Sequence, residues 1–534
     1  MKSDRPRVAY FCMEYGLDSA FKIYSGGLGI LAGDMLKGAH DLKVPLVAIG
    51  LLWRQGYTEQ KIGEDLRPYD SYPDFNYDFL QDTGIEVSVR IRQHDVACKV
   101  WKVNKFGNAD LYLLDTYLPE NADKLITGQL YGWFAEERVA QEMVLGIGGI
   151  KALRALKIPI DVYHFNEGHA LFAGFELIKE KMAKGLEYAE AFEETKKEIV
   201  FTTHTPVVAG NEQHSHELLQ YMGAYNGLKA KQMEDLGGTP FNMTVAGLRL
   251  ARKSNAVARL HGETANKMWK NVKSRSEIIP ITNGVHNQTW VDEAFSGGPL
   301  SDQDLWQRHT QLKQELIDMV YERNNVKLNP DILLIGFSRR AATYKRSNLI
   351  FSDLERARKL FSAKKLQIVF SGKAHPQDAG GKDVIQQIVL MSKEFPGSVV
   401  FLENYDMRIG SALTRGADVW LNNPRRPLEA CGTSGMKAAM NGVLNVSTLD
   451  GWWDEGCQDG VNGWAIGDDK VYESEEEHDK ADSLALYDTF ENKVIPTYYD
   501  NRTKWLEMMQ ASIASCKERF SAVRMVEDYY SLLY

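Results

Sequence analysis

Val419-Trp420-Leu421 is followed by Glu429-Ala430-Cys431-Gly432-Thr433-Ser434-Gly435-Met436-Lys437-Ala438-Ala439-Met440-Asn441-Gly442 and then by Val443-Leu444-Asn445-Val446. An apolar run, a Gly/Thr/Ser-rich loop feeding a helix and a second apolar run make one βα unit of a largely parallel sheet. Such a loop offers unpaired backbone N–H groups and the positive end of a helix dipole, which together bind phosphate without side-chain charge. Lys437, just inside the helix, could hold a phosphorylated aldehyde as a Schiff base.

The same alternation runs through the chain. Strand-like runs in the first half are Arg7 to Met13, Leu46 to Leu52, Ala97 to Val103, Leu111 to Leu114, Ile160 to Phe165, Ile199 to Thr203 and Ile278 to Thr282. After a polar, helix-rich stretch from Ser301 to Lys327, a second series covers Ile332 to Phe337, Leu366 to Phe370, Val399 to Leu402, Val419 to Leu421 and Val443 to Val446. Polar motifs sit where these runs end, the edge at which open α/β sheets bind ligands. The expected fold class is α/β, with two Rossmann-like doubly wound domains facing a central cleft whose closure excludes water. The expected division is residues 1–290, residues 291–495 and a C-terminal segment, 496–534, whose helical stretch from Arg502 to Leu533 packs back on the first domain.

The chain has 534 residues, 44% hydrophobic and 25% charged, which suits a soluble multidomain protein and excludes disordered or fibrous classes. A net charge of -9 argues against nucleic-acid binding but leaves room for a local basic pocket for a small anion. No apolar leader follows Met1 and no run reaches a membrane span, so a cytoplasmic location is expected. Five cysteines without CxxC or CxxH spacing, and His164 with His169 poorly spaced for one helix face, indicate neither a disulfide framework nor a metal site. The acidic run Glu473 to Asp479 reads as a solvated loop or helix face.

Tyr24-Ser25-Gly26-Gly27-Leu28-Gly29-Ile30-Leu31 is a glycine-rich turn into a helix, able to bring backbone N–H groups close to an anion. Arg339-Arg340-Ala341-Ala342-Thr343-Tyr344-Lys345-Arg346 puts four cations within eight residues at the end of a strand. In an acidic protein, that cluster points to a bound polyanion. Asn166-Glu167-Gly168-His169 and Thr202-Thr203-His204-Thr205-Pro206 each end a strand-like run.

Together with Phe11-Cys12-Met13-Glu14-Tyr15, Ser371-Gly372-Lys373-Ala374, Leu402-Glu403-Asn404-Tyr405 and Ile281-Thr282-Asn283-Gly284-Val285, these segments closely resemble the glycogen, starch and maltodextrin phosphorylases, the α-glucan phosphorylases. The resemblance implies the two-Rossmann-domain (B-type) glycosyltransferase fold and pyridoxal 5'-phosphate carried on Lys437. It implies that Thr433, Ser434, Arg339, Lys345 and Tyr405 also bind that cofactor, and that Arg340 and Lys345 hold the substrate phosphate. It implies that the backbone of Gly27 and Leu28 faces the substrate phosphate, and on the sugar side it implies roles for Glu167, His204, Asn255, Glu429, Cys431 and Gly432, with His204 and Asn255 on the glucose 6-hydroxyl and Glu429 on the 3-hydroxyl. The activity implied is reversible phosphorolysis of an α-1,4-glucan to α-glucose 1-phosphate with retained configuration.

Cys431 replaces the serine usual in the attachment segment, and Ser434-Gly435 with Asp450-Gly451-Trp452-Trp453 resembles a bacterial and archaeal branch of the family. The Met-Glu motif lies within fifteen residues of Met1, so the N-terminal extension that carries phosphorylation and nucleotide control in animal enzymes is expected to be missing. Partners expected are the glucan and phosphate, with a homo-oligomer open. Starch synthases share the Gly-Gly-Leu-Gly loop, which leaves a nucleotide-sugar glucosyltransferase as the alternative, beside a glucan-binding relative without turnover. Lys437 argues against the first.

Overall fold

The apolar runs become strands of two separate sheets in the computed structural model, which describes residues 5–207 and 210–534. In the first sheet the strands are β1 (Val8–Phe11), β2 (Leu46–Leu51), β3 (Gln81–Ile91), β4 (His94–Val103), β5 (Leu111–Asp115), β6 (Val162–Asn166), β7 (Ile199–Thr202), β8 (Lys253–Ala256) and β9 (Ile278–Pro280). Their order is β9-β8-β7-β6-β1-β2-β5-β4-β3. All pairs from β9 to β5 are parallel, and the β4–β3 hairpin adds antiparallel at one edge. The winding direction reverses at β1, between β6 and β2.

The second sheet contains β10 (Leu333–Ser338), β11 (Leu366–Ser371), β12 (Val399–Leu402), β13 (Val419–Asn422), β14 (Leu444–Thr448) and β15 (Gly463–Ile466), in the order β12-β11-β10-β13-β14-β15. Every pair is parallel. Counted within the sheet this is 3-2-1-4-5-6, the Rossmann order, with its switch point between β10 and β13. β10, β11, β12 and β13 are buried along their whole length, as a sheet covered on both faces requires. Asp353, Asp378 and Asp406 start the crossover helices by accepting the N–H three residues on, at 3.0, 2.9 and 2.9 Å.

The chain divides into one unit of Met1–Thr58, Tyr72–Thr282 and Ala522–Tyr534, and another of Glu59–Ser71 and Asn283–Ser521. These bounds differ from the expected ones in three places. The main boundary falls after Thr282 and not after residue 290. The antiparallel hairpin Glu59–Ile62 with Pro68–Ser71 belongs to the second unit, where the Gln60 side chain bonds both the N–H and the C=O of Ala374 and Asp70 pairs with Lys382 at 2.6 Å. The C-terminal helical stretch is split. Arg502–Cys516 stays with the second unit, where Trp505 packs on Trp464, and only the last thirteen residues join the first. There Tyr529 meets Asn255 at 3.1 Å and Tyr534 meets His164 at 2.7 Å. Among the described residues no helix is long and apolar enough to cross a membrane.

Asp418, fully buried at the start of β13, ties the second unit together. It accepts from His309 Nε2 (2.8 Å), Lys313 Nζ (2.7 Å) and the Leu334 N–H (2.7 Å). Burial pushes this carboxyl up, but Lys313 and His309 outweigh it and hold it down at about 2. A depressed carboxylate stabilises the fold above its ordinary value of 3.8, and that contribution fades as pH falls through about 2. We expect Asp418→Asn to lower the unfolding free energy at neutral pH by about 2–4 kcal/mol, because Lys313 is left buried without its counter-ion. Urea midpoints of wild type and variant should converge as pH is lowered from about 4 towards about 2.

Candidate active site

In the second unit the loops that follow β10 and β13 flank the switch point. Arg339 and Lys345, from the first loop, both donate to Oε2 of Glu429, from the second. Glu429 is buried, which pushes its carboxyl up, yet Arg339 and Lys345 prevail and hold it below its ordinary range. Behind it lies the fully buried Asp450, whose two oxygens accept the N–H groups of Glu429 (2.9 Å) and Gly451 (2.8 Å). Burial and the neighbouring Glu429 charge push Asp450 up to about 8. Gly451 is left-handed (φ 56°), and a Cβ there would stand 2.3 Å from the Cys431 carbonyl oxygen, so only glycine lets the two segments close. Trp452 N–H then bonds that carbonyl at 2.9 Å.

Gly432, left-handed at φ 86°, starts the helix Thr433–Met440 without a side-chain cap. Thr433 and Ser434 stand half-buried in its first turn. Lys437 is buried one turn in, with Nζ 3.4 Å from the centre of the Trp290 ring. Asn441 holds this pairing by donating to the carbonyls of Lys437 (2.8 Å) and Trp290 (3.0 Å) and accepting the Asp292 N–H (2.8 Å). Sequence reasoning missed Trp290 and Asn441. The only signal for Trp290 was its place shortly after the Thr282-Asn283-Gly284-Val285 segment.

The basic cluster separates into two kinds of cation. Arg340 is exposed at the tip of its loop. Arg346 turns inward, buried, to the carbonyls of Asn423 and Pro424 (2.9 Å each) and to Asp479 and Asp482. Asp479 also takes two bonds from Arg425, so the end of the acidic run is an anchor for these loops and not a solvated face. Tyr405 follows the edge strand β12, its ring lying against Gly410 and the Leu402, Ile409 and Leu413 cluster, two strands from β10.

In the first unit, Gly27–Asp41 is a helix whose start carries the glycine-rich turn. Gly27 is exposed and Leu28 half-buried, in the first turn, where helix geometry supplies no partner for an N–H. His204 follows β7, and its Nε2 lies 2.7 Å from Asn166 Oδ1. Asn166 points its amide nitrogen at Cys12 Sγ (3.2 Å), so Oδ1 is the acceptor, His204 carries its proton on Nε2, and Nδ1 is an acceptor. Burial and the nearby His261 push His204 down to about 3, so the ring is neutral.

Besides Glu429, whose Oε2 is taken by Arg339 and Lys345, two residues expected on the sugar are engaged elsewhere. Glu167 is buried with φ 73°, and its carboxylate accepts the His204 N–H, the Thr205 hydroxyl (3.1 Å) and the Gly168 N–H (3.3 Å). It therefore shapes the His204 loop. Asn255 is fully buried, with Oδ1 taken by Thr202 (2.6 Å) and Nδ2 by Ala256 (3.2 Å) and Tyr529 (3.1 Å). It joins the sheet to the C-terminal segment. Glu142, Glu212 and His214 bring ligand-type atoms within 4.8 Å of one another, but Arg138 already neutralises Glu212 through bonds of 2.8 and 2.9 Å.

Residues 293–455 match the model of the carbohydrate phosphorylase family. The chain is 40% identical to a maltodextrin phosphorylase of Thermococcus litoralis, over 99% of this chain and 70% of that one. It is 38% identical to a glycogen phosphorylase of Aquifex aeolicus, over 99% of this chain and 86% of the relative. An uncharacterized protein of Methanocaldococcus jannaschii is 35% identical over 98% of this chain and 99% of its own length. The chain belongs to the carbohydrate phosphorylase family.

The two kinds of cation should part in solution. Replacing Arg346 by Met strips Asp482 of its buried counter-ion, and we expect a loss of about 3–5 kcal/mol in urea unfolding. Arg340→Ala, on the exposed tip, should stay within about 0.5 kcal/mol of wild type. Equal losses in both would mean that Arg340 is structural too.

Proposed function

We propose that this protein is an α-1,4-glucan phosphorylase. It moves the glucosyl unit at the non-reducing end of glycogen, starch or maltodextrin to inorganic phosphate, releasing α-glucose 1-phosphate with retention, and runs in reverse. The observation that carries this reading is the arrangement at the switch point, where the half-buried Arg339 and the buried Lys345 share one carboxylate beside an uncapped helix bearing a buried lysine, in a chain of the carbohydrate phosphorylase family. Names of the Thermococcus and Aquifex relatives supply the substrate class.

The residues present suit pyridoxal phosphate. Lys437 is buried with its Nζ over the Trp290 ring, and its amine is the group that would take the cofactor's aldehyde. Thr433 and Ser434, at a helix start with no side-chain cap, would donate to a phosphate, and Lys345 and Arg339 would balance its charge. Tyr405 is assigned to the cofactor by resemblance alone. When bound, pyridoxal phosphate supplies a phosphate that exchanges a proton with the substrate phosphate.

The chain's own groups do the rest. Arg339, Arg340 and Lys345 hold the attacking phosphate and offset repulsion between dianions, which is severe in a dry site. Gly27 and Leu28 offer backbone N–H donors, as do Cys431 and Gly432 to the sugar. Neutral His204 presents Nδ1 as acceptor for a sugar hydroxyl, and Glu429 accepts another. Glu429 is held ionised between two cations and cannot act as a general acid. Phosphate itself therefore protonates the leaving oxygen, and no pair of carboxylates flanking the bond is needed. All five cysteines are free, which suits the cytoplasm.

Borohydride reduction followed by peptide mapping should place one pyridoxyl group on Lys437. Lys437→Ala should lose phosphate-dependent release of glucose 1-phosphate from maltodextrin by at least about 1000-fold even with cofactor added. An adduct on another lysine, or full turnover by that variant without cofactor, would sink the assignment.

A further inference from the structure

Glu14 has no place in the reaction described above, yet it is one of the most heavily engaged side chains of the first unit. It follows β1, is 2% exposed, and collects donors from two directions. Oε2 accepts the N–H of Ser25, the N–H of Gly26 (3.2 Å) and the Ser25 hydroxyl (3.0 Å). Oε1 accepts the same hydroxyl (3.0 Å) and the hydroxyl of Tyr131, 117 residues away in sequence.

We propose that Glu14 and Tyr131 form a lock that sets the glycine-rich turn for an anion, with Glu14 acting as a positioning residue through hydrogen-bond acceptance and not as an acid or base. By consuming the N–H groups of Ser25 and Gly26, Glu14 leaves those from Gly27 onward, in the first turn of the helix, as the ones that can meet an anion. The lock also explains the third glycine. A Cβ on Gly29 would stand 2.5 Å from Glu14 Oε2, whereas one on Gly26 or Gly27 would meet nothing within 4 Å. Gly29 is needed for the carboxylate behind the turn, and Gly27 faces the open side.

Tyr131 is itself held. Arg138 lies over its ring at 4.7 Å and is anchored by its two bonds to Glu212. Burial pushes the Tyr131 hydroxyl above its ordinary value, so it stays protonated and donates. The lock therefore runs from the turn through Glu14 and Tyr131 to the helix Ala135–Met143, which carries Arg138.

This inference rests on the phosphorolysis proposed above, and one set of initial rates separates the two. The Michaelis constants for inorganic phosphate and for maltodextrin are measured apart, with bound pyridoxal phosphate and melting temperature as controls. Glu14→Ala should raise KM for phosphate about 10- to 100-fold and leave KM for maltodextrin and cofactor content near wild type. Glu14→Gln should restore KM for phosphate to within about threefold, because its amide oxygen still accepts from Ser25 and Gly26 while its NH2 donates to the Tyr131 oxygen. Tyr131→Phe should fall between them, and it decides the matter if Glu14→Ala does not fold.

An unchanged phosphate KM in Tyr131→Phe and Glu14→Ala, or a parallel rise in both Michaelis constants, would overturn the lock. Loss of turnover in Glu14→Gln as complete as in Glu14→Ala, at unchanged phosphate KM, would make Glu14 an acid or base and overturn it as well. No phosphate-dependent release by the wild-type protein would overturn the function and the lock together.

Discussion

Two cations from the loop after β10 meet one carboxylate from the loop after β13, and the second unit is arranged around that contact. Taking Glu429, Arg339 and Lys345 out of water is costly, and mutual attraction repays the cost only if the geometry is held and the remaining polar atoms are satisfied. Parallel strands at the switch point bring the two loops side by side. Asp450 then fixes the backbone of Glu429, and glycine at 451 allows the Cys431 carbonyl to approach closely enough for Trp452 to bond it. Arg346, in the same basic run, secures the loop from beneath through Asp479 and Asp482.

One device recurs in both units. A buried carboxylate accepts the backbone N–H groups of a candidate site loop: Asp450 for Glu429, Glu167 for His204, and Glu14 for the glycine-rich turn. Loops at the ends of strands are inherently mobile, whereas the chemistry needs donors and acceptors held to fractions of an ångström. A short carboxyl beneath the loop meets that need, because its two oxygens can accept several donors at once and so fix the loop at more than one point. Each such carboxylate is a cost of stability offset by the donors it gathers.

Much of the fold was legible. Runs such as Leu366 to Phe370 and Val399 to Leu402 became strands with shifts of a residue or so, since short apolar segments between helical ones have few other ways to be buried. Several strands that escaped lack that signal. Gln81–Ile91 alternates with water at the sheet edge, Gly463–Ile466 begins with glycine, and Lys253–Ala256 is polar. The last is a buried strand because Ser254 finds Ser276 at 2.6 Å and Asn255 finds Thr202, contacts that composition cannot disclose. The site was legible in the same uneven way. Arg339 and Lys345 meet on Glu429, which the resemblance had put on a sugar hydroxyl, Glu167 and Asn255 turn to internal partners, and the places of Lys437 over Trp290, of Asn441 and of Glu14 emerge only in three dimensions.

By itself, then, the sequence determined the class of fold, the phosphate-friendly loop ahead of Lys437 and the cluster of cations. Periodicity, turn chemistry and local charge are properties of neighbouring residues. Tertiary structure decided which polar groups are spent and which remain to work. Whether a carboxylate props up a loop or faces a ligand depends on donors that lie tens or hundreds of residues away, as Tyr131 does from Glu14, and only folding brings them within hydrogen-bond reach.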